Sequence, residues 1–351
     1  MTVQGFDLFD IVATLVKIAA VFGGLMGAVV IMTWVERRVS GWIQDRLGPN
    51  RVGPFGLFQP LADGIKFLTK EDIIPGNVHK VVYVLAPATA LTAALTAFVV
   101  IPFGPTLVVF GRRIALVVAD VNVGVLVTLA ASAMGVYGIV MAGWSSNNKF
   151  SLMGGLRSSA QLISYELAIG LSVIGVLAAS DTLRLGTIVE RQAHFAWNIW
   201  FQPVGALVFL IASFAETNRA PFDLPEAESE LVAGYHTEYS SMKFSMFFMA
   251  EYVNMVTSAA LFVTLFLGGW QVPGLGRLLS GNALAIGQVL GFVAKVAFFQ
   301  FFFVWVRWTL PRFRYDQLMG LGWKRLIPLG FVNIFWVGTL VTFGLYDKVQ
   351  G

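Results

Sequence analysis

Long apolar runs constrain this chain more than any other feature of its sequence. Several runs of about 20 apolar residues occur, which is the length at which a helix spans the hydrocarbon core of a bilayer. Charged residues make up 13% of the chain, against roughly a quarter in a soluble domain. We therefore predict an all-α, polytopic membrane protein with about eight transmembrane helices plus an amphipathic surface helix, in a single membrane domain over residues 1–351.

The eight predicted spans are 11–35, 81–103, 114–142, 159–179, 197–215, 244–268, 284–306 and 326–345. The third span is long for a bilayer, so we expect it to tilt, kink or protrude. The sequence shows no internal repeat and no matched pair of interrupted spans, which are the usual signature of a secondary transporter.

Lys and Arg are concentrated in the loops that follow the first, third, fifth and seventh spans. Because basic residues stay on the cytoplasmic side of a membrane protein, these loops are predicted to face inward and both termini outward. The net positive charge is thus a topology signal and does not indicate nucleic-acid binding. Two of the inward loops, 36–80 and 216–243, contain most of the candidate functional residues outside the spans.

The second of these loops is unusually acidic. Its stretch ETNRAPFDLPEAESELVAGYHTEYSS carries six carboxylates: Glu216, Asp223, Glu226, Glu228, Glu230 and Glu238. Pro221 and Pro225 predict a stiff turn, and a short helix can begin at Pro225. One interpretation is a solvated acidic loop. The apolar residues between the acids, such as Phe222 and Leu224, favour a buried loop instead.

The first inward loop contains an amphipathic stretch, FGLFQPLADGIKFLTKED. At helical spacing its apolar face comprises Phe58, Leu61, Ile65 and Leu68, and its polar face comprises Gln59, Asp63, Lys66 and Lys70. The stretch is too short to span a bilayer, so we expect it to lie along the membrane surface. Asp63 and Lys66 are three residues apart and can pair. A plain interfacial anchor is the alternative interpretation.

Ionisable residues within the spans are costly and are functional candidates by default. Four carboxylates on four spans, Glu36, Glu166, Glu216 and Glu251, are predicted to share the cytoplasmic third of the membrane. Carboxylates in a low-dielectric site can exchange protons near neutral pH, so the row resembles a proton relay. The alternative interpretation is that these acids extend to the membrane surface or make a single hydrogen bond each, without relaying protons. Lys295 is expected to pair with one of these acids.

Several kinds of site are excluded or disfavoured by composition. The chain has no cysteine, which excludes disulfides, thiolate metal sites and iron–sulfur clusters ligated by this chain. Its three histidines, His79, His194 and His236, lack metal-ligand spacing. No glycine-rich dinucleotide fingerprint follows a predicted strand. We therefore expect no metal, flavin or cluster on this chain.

Six segments together indicate a family. They are ERR (36–38), RLGPNRVGPFGLFQPLADGIK (46–66), SLMGGLRSSAQLISYELAIGL (151–171), ETNRAPFDLPEAESELVAGYHTEYSSMKF (216–244), LFLGGW (265–270) and VRWTLPRFRYDQLM (306–319). These segments strongly resemble the H subunit of bacterial NADH:quinone oxidoreductase, respiratory complex I, whose mitochondrial counterpart is NADH dehydrogenase subunit 1. The resemblance covers nearly the whole chain.

The resemblance implies a translocase subunit that builds the membrane-side half of a quinone chamber, anchors the hydrophilic arm and links quinone reduction to proton translocation. The implied quinone-binding residues are Glu36, Arg37, Asp63, Lys66, Arg219, Phe222 and Asp223. The implied proton path comprises Glu166, Glu216, Glu226, Glu228, Glu230, Glu251 and Lys295. The substrate would be ubiquinone or menaquinone, with no catalytic residue on this chain alone.

The implied partners are the hydrophilic quinone-site subunits, the neighbouring small and antiporter-like membrane subunits, and membrane lipid. The implied location is the bacterial plasma (inner) membrane. Two other classes remain open: the homologous membrane subunit of an energy-converting hydrogenase, and a stand-alone ion channel or secondary transporter. The intact GPNRVGPFG loop and amphipathic stretch argue against the first, and the lack of repeats argues against the second.

Overall fold

The computed structural model describes residues 8–193, 196–224 and 231–346. Its long helices alternate with short connecting segments. The helices are α1 (Leu8–Ile43), α2 (Gln59–Thr69), α3 (Lys80–Phe98), α4 (Gly124–Ser145), α5 (Lys149–Ser180), α6 (Leu185–Arg191), α7 (Asn198–Phe201), α8 (Pro203–Glu216), α9 (Ser241–Phe266), α10 (Leu275–Leu278), α11 (Gly281–Thr309), α12 (Tyr315–Leu321) and α13 (Ile327–Thr342). A π-helical turn, Gly322–Leu326, joins α12 to α13.

The long helices form one bundle around α9. Helix α9 packs on α3, α1, α11 and α8. The bundle continues from α3 to α4 and from α4 to α5, on which α8 and α13 also pack. Close approach of α3 and α4 depends on Gly138, where an added Cβ would lie 2.8 Å from the Cβ of Ala90. Helix α9 is the most buried of the long helices, whereas α1, α11 and α13 leave most of their apolar surface uncovered. Such surface suits lipid or neighbouring subunits.

The polytopic all-α prediction is confirmed in its main lines. Among the described residues, seven helices are long and apolar enough to cross a membrane. The fifth predicted span is shorter than expected because it is divided at Gln202 into α7 and α8. Pro203 explains the division, since proline lacks the N–H that a continuous helix needs.

The third predicted span was wrong at its beginning, where the chain is not yet helical. Residues 114–123 do not belong to the helix, which begins at Gly124. An antiparallel β-hairpin forms instead from β1 (Thr106–Val109) and β2 (Arg112–Ala115). The turn residues Phe110 and Gly111 both have positive φ, at 51° and 77°. Such angles are typical of the two-residue turns that connect hairpin strands.

The amphipathic helix is present as α2 and ends at Thr69. The side chains of Leu61, Ile65 and Leu68 are 53%, 62% and 67% exposed. The apolar face is therefore turned away from the bundle, as expected for a helix that lies on the membrane surface or under a partner.

Candidate functional site

The site is organised by the turn that follows α8. Gln161, fully buried on α5, donates from Nε2 to the carbonyl oxygens of Ala215 at 2.8 Å and Phe222 at 3.0 Å. The same nitrogen lies 3.3 Å from Oδ1 of Asn218. One amide therefore ties both ends of the turn to α5. As a result, Arg219 is held in the bundle interior, where it is 3% exposed.

Arg219 belongs to a group of four charged side chains that we call the paired cluster: Glu36, Arg219, Glu251 and Arg307. The Nε of Arg219 lies 2.9 Å from Oε1 of Glu251, and its guanidinium lies 3.7 Å from Oε1 of Glu36. Arg307, near the end of α11, donates to the same oxygen of Glu36. Two acids from α1 and α9 thus face two arginines from the turn and α11.

Tyr252 completes the paired cluster. Its hydroxyl donates to Oε2 of Glu36 at 2.6 Å, and its ring lies 4.4 Å below the guanidinium of Arg219. A buried charge is stable only when it is paired and hydrogen-bonded. Both conditions are met here, since the acidic and basic charges balance and each oxygen of Glu36 has a partner.

A second group of carboxylates lies beside the first. Glu166 of α5, Glu216 at the end of α8 and Glu251 line one space of about 40 Å³, which we call the acidic cavity. Asn218 and Asn254 also line it. The volume is enough for about three water molecules. Three of the four carboxylates that we expected at this depth are therefore brought together, and Arg219 connects the fourth, Glu36, to them.

The carboxylates of the acidic cavity differ in their partners. Glu251 is paired with Arg219. Neither Glu166 nor Glu216 forms an ion pair with a basic residue in the described ranges. Glu216 instead contacts the hydroxyl groups of Ser132 and Ser258, the latter at 3.5 Å. The cavity thus combines one compensated acid with two that lack a basic partner.

The polar face of α2 meets α1 through a different pair from the one expected. Asp63 lies 2.6 Å from Arg37, and Gln59 adds a longer contact of 3.3 Å. The predicted pairing of Asp63 with Lys66 was wrong, because the longer guanidinium of Arg37 reaches across from α1. Lys66 lies against the ring of Phe67, 5.5 Å from its centre. The Arg37–Asp63 pair is partly solvent-exposed, unlike the paired cluster.

Phe222 and Asp223 occupy the far end of the turn. Phe222 is 4% exposed and its ring lies between those of Tyr165 and Phe313, with centroids 5.8 and 5.5 Å away. Asp223 pairs with Arg312 at 3.0 Å. Phe222 is therefore part of the packed core of this chain, and its predicted contact with a quinone stays a prediction.

The rest of the acidic loop is described in part. Glu226, Glu228 and Glu230 lie outside the described residues, as does the short helix predicted from Pro225. Further along, Glu238 accepts from Asn148 at 2.5 Å, and Tyr239 donates to the carbonyl of Tyr83 at 3.1 Å. Burial raises the pKa of Tyr239 to about 12, so this phenol stays neutral. These contacts attach the loop to α3 and α5.

Lys295 pairs with no acid of the described ranges; it binds main-chain carbonyls instead, so the predicted pairing with Glu36, Glu166, Glu216 or Glu251 was wrong. Its Nζ donates to three main-chain carbonyls, those of Leu267 at 2.8 Å, Gly269 at 3.0 Å and Gln271 at 2.7 Å. The ring of Trp197 lies 4.6 Å from the same nitrogen. The segment after α9 presents these carbonyls together, which provides a full set of acceptors without a carboxylate. Its predicted part in a proton path stays a prediction.

Several residues of the site were not predicted from the sequence. In the sequence, Arg307 contributes only to the count of basic residues in the inward loops, and nothing indicates a role for Tyr252. A signal was available for Asn254 and Ser258, since they follow Glu251 at intervals of three and seven residues and share its helix face. For Arg307 no local signal exists, because its partner lies on α1, at the other end of the sequence. Within the described ranges, no group of three or more His and acidic side chains is arranged to hold a metal ion.

Comparison with known proteins gives a consistent result. The sequence profile of the NADH dehydrogenase family matches residues 16–338. An NADH-quinone oxidoreductase H subunit of Cytophaga hutchinsonii is 50% identical over 325 residues, covering 92% of this chain and 95% of that protein. The H subunit of Protochlamydia amoebophila is 54% identical over 307 residues, covering 88% and 91%. Subunit 8 of the Rhodothermus marinus enzyme is 51% identical over 315 residues, covering 87% and 90%.

These matches span nearly the whole of each protein, and they include the segments that form the paired cluster and the acidic cavity. Identity of this extent favours the complex I assignment over the two other classes left open by the sequence. The chain belongs to the NADH dehydrogenase family and, within it, to the membrane-embedded H subunits of the bacterial NADH-quinone oxidoreductases.

Proposed function

We propose that this subunit forms the membrane-side part of the quinone chamber of its complex, and that the chamber adjoins the paired cluster. The observation that carries the proposal is the convergence of charged groups at one end of α1. Glu36 points into the bundle, to Arg219 and Arg307, while its neighbour Arg37 meets Asp63 of α2. Glu36 thus contacts Arg219, and Arg37 contacts Asp63, four residues for which the resemblance implied quinone binding.

The chemistry of quinone reduction requires this combination of surfaces. A quinone has an apolar prenyl tail, which suits the apolar faces of α1 and α2, and a headgroup that needs polar contacts. Two-electron reduction takes up two protons and passes through states with added negative charge. Arginines on the turn and on α1 stabilise such charge. Electrons are proposed to come from other subunits of the complex, since this chain has no cysteine to ligate an iron–sulfur cluster.

We further propose that the acidic cavity connects quinone reduction with proton translocation. Glu251 supports this role because it belongs to both groups: it pairs with Arg219 and lines the cavity with Glu166 and Glu216. A change of charge near Arg219 therefore acts on Glu251, and through the low-dielectric interior on the other two acids, which line the same cavity. Glu226, Glu228, Glu230 and Lys295 are proposed to extend the path toward the antiporter-like subunits.

The proposed setting is the bacterial inner membrane, with the hydrophilic quinone-site subunits over α2 and the 216–243 loop. The exposed apolar face of α2 supports contact with lipid or with a partner on that side. The distribution of Lys and Arg favours a topology with both termini outside. A reporter that fluoresces only in the cytoplasm should stay dark when fused after Gly351. Bright cells would reverse the orientation.

One experiment tests both parts of the function, using the intact complex reconstituted in vesicles. Three rates are measured: NADH oxidation with an artificial hydrophilic acceptor, NADH oxidation with quinone, and acidification of the vesicle lumen. Asp63→Ala should lower quinone reduction about tenfold or more, the loss expected when a charged headgroup contact is removed. Transfer to the artificial acceptor should persist, because it does not use the chamber.

Glu216→Gln keeps the size and hydrogen bonding of the side chain but removes its titrating proton. It should lower either acidification per quinone reduced or quinone turnover itself, with the complex fully assembled. The matched control for Asp63 is Asp72→Ala, which removes the acid of another ion pair in the same loop, with Lys243 at 2.5 Å. Equal loss of all three rates in Asp63→Ala would assign Asp63 to assembly. Full rate and full acidification in Glu216→Gln would remove Glu216 from the coupling path.

A further inference from the structure

Helix α2 is attached to the bundle without a buried side chain of its own. None of its residues, Gln59–Thr69, is buried. A helix of 11 residues is only marginally stable by itself, because most helical stability in proteins comes from the packing of one face. The position of α2 therefore depends on the few contacts that its polar face and its ends make with the rest of the chain.

The C-terminal end of α2 meets the beginning of α9 at Ser241, a residue that is 5% exposed. The hydroxyl of Ser241 donates to the carbonyl oxygen of Phe67 at 2.9 Å and lies 3.1 Å from that of Lys70. The last carbonyls of a helix have no partner within the helix, so an outside donor is needed. The negative end of one helix dipole also faces the positive end of the other, which is favourable.

Ser241 holds this contact in a backbone conformation that favours glycine. Its φ is 54°, in the left-handed region, which is unfavourable for a residue with a Cβ. Glycine would adopt this conformation without strain, but it has no hydroxyl. Strain of this kind persists where the surrounding structure requires a particular contact. Here the side chain that is retained at the cost of strain is the one that binds the end of α2.

The neighbouring polar contacts do not reach the helix itself. The hydroxyl of Ser240 donates to the carbonyl of Glu71 at 3.2 Å, and Lys243 pairs with Asp72. Both acceptors follow Thr69, the last residue of α2. Asp72 is 47% exposed, and exposed ion pairs contribute little to stability. Of these contacts, that of Ser241 is the buried one that ends on α2.

We propose that Ser241 is a positioning residue for quinone reduction, which fixes α2 on α9 and thereby holds Asp63 in place at the chamber. Asp63 precedes Phe67 by four residues, so the two lie on the same side of α2, about 6 Å apart along its axis. A displaced end of α2 would also move Asp63 relative to Arg37 on α1. The inference rests on the proposed function in placing Asp63 at the chamber.

Loss of the hydroxyl lets α2 populate other positions. Quinone then binds productively only to the fraction of molecules in which α2 is in place, so its apparent affinity falls by that fraction. Saturating quinone draws the whole population into the productive position, so the maximal rate is kept. A residue that merely stabilises the fold would instead lower the amount of assembled complex and leave the KM of the remainder unchanged.

Two variants isolate the hydroxyl of Ser241. Ser241→Gly removes it together with the strain of the positive φ, so the beginning of α9 is preserved. Ser241→Ala removes it and keeps the strain, so agreement between the two variants assigns the effect to the hydroxyl. Ser240→Ala is the matched control. It also removes a serine hydroxyl, from extended backbone with φ −134°, but one whose acceptor, Glu71, lies beyond α2.

The test uses the intact complex in lipid nanodiscs and combines hydrogen–deuterium exchange of α2 with the KM and kcat for quinone. Both Ser241 variants should speed amide exchange in the last turns of α2 about fivefold, the effect of losing one hydrogen bond. The KM should rise about two- to fivefold, with kcat and the rate with an artificial acceptor unchanged. Ser240→Ala should change none of these. Ser241→Gly should not raise the KM further in an Asp63→Ala background.

Equal exchange of α2 in Ser241→Gly and Ser240→Ala would overturn the inference. Faster exchange with an unchanged KM would overturn it as well, since Ser241 would then be a plain helix cap, and so would additive effects of Ser241→Gly and Asp63→Ala on kcat/KM. The chamber is tested separately by Asp63→Ala alone. Unchanged quinone reduction in that variant would reject the chamber at Asp63, whereas exchange of α2 in Ser241→Gly would still decide whether Ser241 fixes the helix.

Discussion

The paired cluster and the acidic cavity contain the same kind of residue in opposite electrostatic settings. In the paired cluster, each acid faces at least one arginine, and Tyr252 donates to the remaining oxygen of Glu36. In the acidic cavity, Glu166 and Glu216 face amides, hydroxyls and each other. The two groups adjoin, and Glu251 is a member of both.

The difference shows how one region can be rigid and its neighbour responsive. Paired and hydrogen-bonded charges lose much free energy when a partner is removed, so the paired cluster keeps one charge state and one geometry. Acids without a basic partner gain little from staying charged, so their number of bound protons can follow a nearby change of charge. The first setting suits positioning and the second suits proton exchange.

The largest expected effect is that of removing the arginine shared by both acids of the paired cluster. Arg219→Met keeps the length of the side chain but leaves Glu36 and Glu251 without their common partner. We expect a loss of about 3–5 kcal/mol in stability, the usual consequence of an uncompensated buried charge. It should appear as a strongly reduced yield of assembled complex on native gels and as a lower temperature of dissociation.

Arg184→Met is the matched control, because it removes an arginine from the pair with Asp120, in which the two side chains are 48% and 36% exposed. Exposed pairs contribute less than about 1 kcal/mol, so assembly should be nearly unchanged. Adding Glu251→Gln to Arg219→Met should restore part of the yield, since it removes the negative charge that faced Arg219, whereas Glu36 keeps Arg307 and Tyr252. Normal assembly of Arg219→Met alone would mean that the two groups do not differ as described.

The sequence predicted the fold well where the signal was local. Apolar length located the long helices, and periodicity located α2 together with its exposed apolar face. The two departures also have local causes. Pro203 shortens the fifth span, and the turn at Phe110 and Gly111 forms a hairpin whose second strand ends at Ala115, inside the predicted third span. Neither is visible in hydropathy alone, because hairpin strands and spans share β-branched and apolar residues.

The sequence predicted which acidic residues belong to the site, but it did not predict which basic residues they contact. Charge at membrane depth identified Glu36, Glu166, Glu216 and Glu251 from the sequence. Which acid meets which arginine depends on contacts between helices far apart in the chain, such as Glu36 with Arg307. The same limit explains the errors at Asp63 and Lys295, whose partners come from α1 and from the main chain after α9. Spacing within one helix cannot reveal such partners.

The comparison is tested most directly by replacing, one at a time, two glutamates that line the acidic cavity. Glu251→Gln and Glu166→Gln both replace a carboxylate by an amide of equal size, in residues that line one space. Glu251→Gln removes the charge that lies 2.9 Å from Arg219 and should lower stability by about 1–3 kcal/mol. Glu166→Gln removes no ion pair, so its effect on stability should stay below about 1 kcal/mol.

The measurements are the dissociation temperature of the purified complex and the protons moved per quinone reduced, with Asp181→Asn as the control for an exposed acid. Asp181 has φ 45°, a conformation that asparagine tolerates, so this control should be neutral in both. Glu166→Gln should lower the number of protons moved per quinone reduced and leave the dissociation temperature unchanged. Glu251→Gln should lower both. If the two variants lose stability equally, pairing with Arg219 does not distinguish Glu251. If Glu166→Gln moves protons normally, the unpaired acids are structural, and the proposed coupling must run through the paired cluster alone.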